Sequence, residues 1–250
     1  MQRYFLLLRL SIRNIPNMKK IYTYSTSILL LLLVAMSFSS CERKWKETAP
    51  LSVSIKLVNT AVSEYVIINS GEVYLSTFGI NGARKQGDAV AFSNNLPEGT
   101  MASLQVGSII PSIEYDIPQG TYSSFVINMG IKPKASIGSL TLFGEHVGID
   151  DNGEIESHRI EFIYNPATDY SLKTVSSGEI NFVSDQKAKA IINLDAKYLF
   201  SSISNSMWME AEHTELNGVE TIIVSENDNT TIYNILIGRL NSSFSAHIEQ

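Results

Sequence analysis

From Leu51 onward the chain alternates apolar and polar side chains. LSVSIKL, Leu51–Leu57, repeats every second residue, the period of a strand with one face buried. Similar short segments recur at Glu72–Phe78, Ala89–Phe92, Ala102–Gly107, Thr121–Asn128, Ser139–Phe143, Arg159–Tyr164, Gly178–Val183 and Ala188–Leu194. Between them stand turn dipeptides such as Asn81-Gly82, Asn152-Gly153 and Ser177-Gly178. Many short strands divided by Gly, Pro and Asn predict a mainly β fold, an antiparallel β-sandwich.

The period changes near the C-terminus. DAKYLFSSI, Asp195–Ile203, predicts a short helix with Asp195 as its N-cap. ETIIVS, Glu220–Ser225, returns to a strand. In TTIYNILIGRLNSSF the residues Ile232, Ile235, Leu236, Leu240 and Phe244 fall on one helical face, with Asp228 or Asn229 placed to cap it. A stripe of this kind is expected to dock on the core. The prediction is therefore one β-rich domain over residues 51–250, with one or two short C-terminal helices.

LPEGTMASLQVGSI, Leu96–Ile109, aligns with IPQGTYSSFVINMG, Ile117–Gly130, through a shared [LI]-P-x-G-T core. Proline at the second position and glycine at the fourth suit a type I turn leading into a strand. The phrase IPQGTYSSFVI resembles the turn-and-strand of transthyretin-like sandwich domains found in bacterial lipoproteins and surface proteins.

The N-terminal segment has a different character. Met18-Lys19-Lys20 precedes an apolar run, ILLLLLVA, Ile28–Ala35, too short to span a bilayer. SFSSCERKWKE then places small Ser39 and Ser40 directly before Cys41, the only cysteine in the chain. This arrangement resembles a bacterial lipoprotein signal, in which the cysteine becomes the acylated first residue of the mature protein. Residues 1–41 are accordingly expected to be a signal segment ending at a lipidation site, Cys41, with the bilayer as partner. Acylation at several positions of one residue would hold the chain stably. The upstream basic and apolar stretch ends in Pro16 and does not belong to the signal, which leaves two readings: translation starts at Met18, or the segment is a longer signal-anchor with two apolar blocks. Residues 42–50 are expected to form a tether.

Composition sharpens this picture. The full chain carries −6, but residues 1–41 hold five basic residues and no acidic one. The remaining 209 residues thus carry 14 basic and 25 acidic side chains, a balance of −11 that gives nucleic acid no basic patch to bind. Arg43, Lys44 and Lys46 follow the cysteine, where anionic headgroups would attract them. They replace the acidic run that marks surface-exposed lipoproteins of the kind the signal resembles, so the domain is expected to face the periplasm from the outer membrane. With Cys41 committed to lipid, no disulfide supports the fold.

Candidate chemistry is sparse. His146, His158, His213 and His247 show no HxH or HExxH spacing and are expected at the surface or in turns rather than as metal ligands. Ser184-Asp185-Gln186-Lys187 matches S-x-x-K but follows a strand and is expected to be a turn. GIDDNGEIE, Gly148–Glu156, gathers Asp150, Asn152 and Glu154 around an Asn-Gly turn and is the candidate Ca²⁺ loop, although a plain hairpin explains it without an ion. SENDNTT, Ser225–Thr231, is expected to cap the following helix. Trp45 and Trp208 are the only tryptophans available to stack on sugars.

No cofactor and no catalytic constellation is predicted. The expectation is a membrane-anchored envelope lipoprotein acting as a non-catalytic binding or assembly module. Two alternatives remain: a carbohydrate-binding accessory protein, and a periplasmic hydrolase with its site dispersed over several loops.

Overall fold

The computed structural model describes residues 47–105, 110–134, 138–149, 153–174 and 179–250. Cys41, Trp45, Asp150 and Asn152 lie outside them, as do Ser177 and Gly178. Thr48–Gln250 forms one compact unit. It is mainly β, built from two sheets with a few short helices.

The smaller sheet has four strands: β1 (Thr48–Val58), β4 (Ile110–Pro118), β10 (Ala188–Asp195) and β13 (Phe244–Glu249), in the order β13-β10-β1-β4. The alternation of Leu51–Leu57 is obeyed: Leu51, Val53, Ile55 and Leu57 are all buried, and Ala188, Ala190, Ile192 and Leu194 beside them likewise. Strand β1 begins at Thr48, so the segment expected as a tether as far as Pro50 is cut short. Ala49 is fully buried and pairs with Ile117, which makes this stretch part of the fold.

The larger sheet has nine strands. Its main path is β11 (Thr214–Leu216), β12 (Val219–Val224), β7 (Ile155–Tyr164), β6 (Leu140–Ile149), β2 (Val66–Arg84), β5 (Gly120–Ile131) and β8 (Thr168–Lys173). Strand β3 (Val90–Ser103) pairs with β2, and β9 (Ile180–Phe182) with β5. Glu72 and Val73 pair with both β3 and β6, while Thr77–Gly82 pair with both β3 and β5. Strand β3 therefore lies along one edge of β2, and β6 and β5 follow each other along the opposite edge. A register shift between Leu75 and Thr77, in the pairings to β3 and to β5, marks where the long strand passes from one partner to the next.

The sandwich is antiparallel with two exceptions. Strands β1 and β10 run parallel, and so do β12 and β7. The chain between the members of each pair is long enough to make the crossover that parallel pairing needs.

Three helices follow β10: α1 (Ala196–Phe200), α2 (Asn205–Met209) and α3 (Thr230–Ser243). Asp195 caps α1 as expected, its carboxylate accepting from the Tyr198 amide at 2.8 Å. Ile232, Leu236 and Leu240 of α3 are buried and Ile235 partly so; α3 packs on α1 and reaches β10, β12 and β13. Phe244 departs from the expected stripe, because it opens β13 and lies against the Tyr170 ring at 4.8 Å. Asn229 stands before α3 but does not cap it with its side chain. It has φ of 47°, and its Nδ2 donates to the carbonyls of Ile223 and Glu212 instead.

Two expected turns are corrected. Asn81-Gly82 lies inside β2, and the glycine is there because a Cβ would stand 2.6 Å from the Tyr122 ring. Leu96–Gly99 lies within β3, as four residues opposite the single Ser76, whereas its counterpart Pro118-Gln119-Gly120 does carry the chain from one sheet to the other. Ser184–Gln186 is the turn expected, closed by the Gln186 amide on the Val183 carbonyl.

Candidate metal centre

Strands β6 and β7 form a hairpin, and their inward positions show how the site arises. On β6 these are Leu140, Leu142, Gly144, His146 and Gly148; on β7 they are Tyr164, Phe162, Ile160, His158 and Glu156. Each row is apolar toward the middle of the sandwich and turns polar toward the hairpin tip. Strand β12 runs beside β7 and repeats the gradient, from Val224 and Ile222 to exposed Glu220.

His146 and His158 face each other directly across the ladder, their rings 6.3 Å apart and nearly parallel. Both are buried, contrary to their expected place in turns or at the surface. His213, just before β11, lays its ring on that of His158 at 4.1 Å between centroids. His247 stays apart on β13, near Asn193 and Glu249.

Trp208 closes the inner side. Helix α2 is capped by Ser204, whose hydroxyl accepts from the Met207 amide, and it turns the Trp208 ring onto His146 at 6.1 Å and onto Phe200 at 6.3 Å. Trp208 is almost wholly buried, so it is no platform for stacking sugars. Gly148 lets α2 come this close, since a Cβ there would run into the sulfur of Met209.

The polar atoms of the cluster are incompletely matched. His146 Nε2 donates to Asn205 Oδ1 at 3.0 Å, and its Nδ1 is buried without a partner. His158 Nε2 lies 3.2 Å from Glu220 Oε2 and 3.8 Å from Glu156 Oε2, and its Nδ1 is also buried and unmatched. Burial holds the His146 imidazole below its usual pKa; the Asn205 hydrogen bond opposes this and neighbouring His158 adds to it. His213 is lowered as well, first by the enclosure of its ring and then by His158, against the pull of Glu220 and Glu156.

One donor atom each from His158, His213 and Glu220 lies within 4.8 Å of the others. His158 sits at the floor, only 3% exposed, while His213 and Glu220 form the open rim. Two imidazoles and a carboxylate this close together are a donor set that could hold a transition-metal ion.

The expected Ca²⁺ loop falls in sequence between the end of β6 and the start of β7. Asp150 and Asn152 lie outside the described residues, while Glu154 is exposed and Gly153 takes the left-handed φ of 84° that a tight turn requires. Beside it the outward face of the hairpin is apolar: Ile155 is 77% exposed, with Ile149, Val147 and Val219 also open to solvent.

Sequence reasoning missed the cluster because the histidines have no recognisable spacing. A signal was present all the same. His146 is in phase with Leu140 and Leu142, and His158 with Ile160 and Phe162, so both fall on the core side of their strands. In comparisons with known proteins, no family model, curated protein or solved structure was found to match the chain.

Proposed function

We propose that this chain is a lipid-anchored protein of the bacterial envelope whose β-sandwich serves as a non-catalytic binding or assembly module. The observation that carries the reading is the position of β1. It begins at Thr48, seven residues after Cys41, and enters the smaller sheet between β4 and β10. Even fully extended, seven residues reach only about 25 Å, so an acylated Cys41 would keep the sandwich at the bilayer surface. The exposed apolar side chains on the outer face of β6, β7 and β12 support association as the role of that surface.

Cys41→Ala tests the anchor directly. The variant is expected to lose incorporation of labelled fatty acid and to move from the membrane to the soluble fraction. Sedimentation with membranes as tight as that of the wild type would exclude lipid anchoring. The basic residues Arg43, Lys44 and Lys46 favour a periplasm-facing domain, which protease added to intact cells should leave uncut.

A further inference from the structure

Two carboxylates and two imidazoles converge at the open end of the larger sheet, and no fixed cation is among them. Glu156 and Glu220 both approach His158 Nε2, and His213 covers the same ring. Among the described residues neither carboxylate meets a lysine or arginine in an ion pair. The neighbouring Arg159 turns to the opposite face, where its Nη2 meets Glu161 at 3.0 Å and its guanidinium lies over the Phe143 ring. Four potential donor groups, one of them a buried imidazole, are thus gathered together.

We propose that His158, His213 and Glu220, with Glu156 beside them, bind one divalent transition-metal ion of the Zn²⁺ type. In a tetrahedral zinc site with bonds of about 2.0–2.2 Å the donor atoms stand about 3.3–3.6 Å apart. The separation of 3.2 Å between His158 Nε2 and Glu220 Oε2 is already close to one such edge. His158 is buried, whereas His213 and Glu220 are exposed on the rim; the His213 ring, stacked on that of His158, has to turn for its nitrogen to point at the same ion. Glu156 Oε2, at 3.8 Å from the same nitrogen, is the fourth donor, or water takes its place. Imidazole nitrogens favour zinc, cobalt, nickel and copper over Ca²⁺ and Mg²⁺, which take oxygen ligands. The site therefore differs in ligand type from the oxygen-only Ca²⁺ set expected at Asp150, Asn152 and Glu154. The inference stands on the sandwich alone and holds whether or not Cys41 is acylated.

The test uses the full chain, purified in detergent and stripped with chelator. Titration with Zn²⁺, followed by calorimetry, should show one equivalent bound and a raised melting temperature. Co²⁺ at the same site should give the visible absorption of a four-coordinate ion, and excess Ca²⁺ should not displace either metal. His213→Ala and Glu220→Gln change exposed rim residues, so the fold is retained while a ligand is lost. Removing even an outer-shell partner weakens metal sites about 10–100-fold, so each variant should lose at least about 100-fold in zinc affinity. Glu154→Gln should leave zinc binding unaltered. The proposal is overturned if the stripped protein takes up no stoichiometric zinc, or if the two rim variants bind it as the wild type does.

Discussion

At the scale of single residues, glycines and histidines carry meanings that their local sequence does not disclose. Gly82 follows an asparagine and reads as a turn, yet it lies within a strand to make room for the Tyr122 ring. Gly79, three residues earlier in β2, is equally constrained. A Cβ there would stand 2.6 Å from the Phe92 carbonyl oxygen and 3.1 Å from the Ser93 Cα, both of them backbone atoms of β3. Backbone cannot rotate aside as a side-chain tip can, so the two strands would have to separate. Gly79→Ala is expected to destabilise the domain by roughly 1–3 kcal/mol, the usual range for overpacking. Chemical denaturation should show a lower midpoint with an unchanged slope; an unaltered midpoint would mean that β2 and β3 are not pressed together at this point. For the histidines, each inward position was legible from the phase of the alternation. Their meeting was not, because His158 and Glu220 come together only through the parallel pairing of β7 with β12, some sixty residues apart in sequence.

At the scale of elements, the strands buried in the middle of the smaller sheet announced themselves, whereas several edge strands did not, although the short edge strand β9 was legible within Gly178–Val183. Strands β1 and β10 alternate cleanly and were read within a few residues of their observed bounds. Strand β4 carries Pro111 and Pro118 and escaped notice; it is an edge strand, where a missing backbone donor is tolerated. Strand β8 is short and also lies at the end of its sheet's main path. Strand β13 was concealed because Phe244 sits in phase with the helical stripe that precedes it. The helix itself was legible from that stripe, and its docking explains why the pattern is so regular. Leu236 is fully buried in α3. Truncating a buried leucine to alanine costs about 2–5 kcal/mol, and placing an unpaired carboxylate there costs more. Against a typical domain stability of about 5–15 kcal/mol, Leu236→Asp should leave little or no folded protein. Circular dichroism and thermal melting of the purified variant check this. A cooperative melt at the wild-type temperature would show that α3 is not part of the core and turn its apolar stripe into the leading candidate for a partner surface.

At the scale of the whole molecule, the two sheets behave as parts of one core. Buried residues of β1 and β10 belong to the same apolar cluster as those of β2, β5, β6 and β7, and α3 joins it through Leu236 and Leu240. The sheets are also joined at one side. Thr174, just past β8, bridges to Ala246 of β13, and both its amide and its hydroxyl donate to the Phe125 carbonyl at 2.9 Å. With no disulfide to hold separate parts, and a single shared core to lose, the sandwich should unfold in one step. The loss of tertiary signal and of strand signal should coincide on heating. Among the described residues the first buried one is Ala49, eight positions after Cys41. Cys41→Ala is therefore expected to melt within about 2 °C of the acylated protein in the same detergent, less than the shift that 1 kcal/mol produces in a domain of this size. A large fall in melting temperature would make the anchor a structural part of the fold. Two separated transitions would show that the two sheets are independent units despite the core they share.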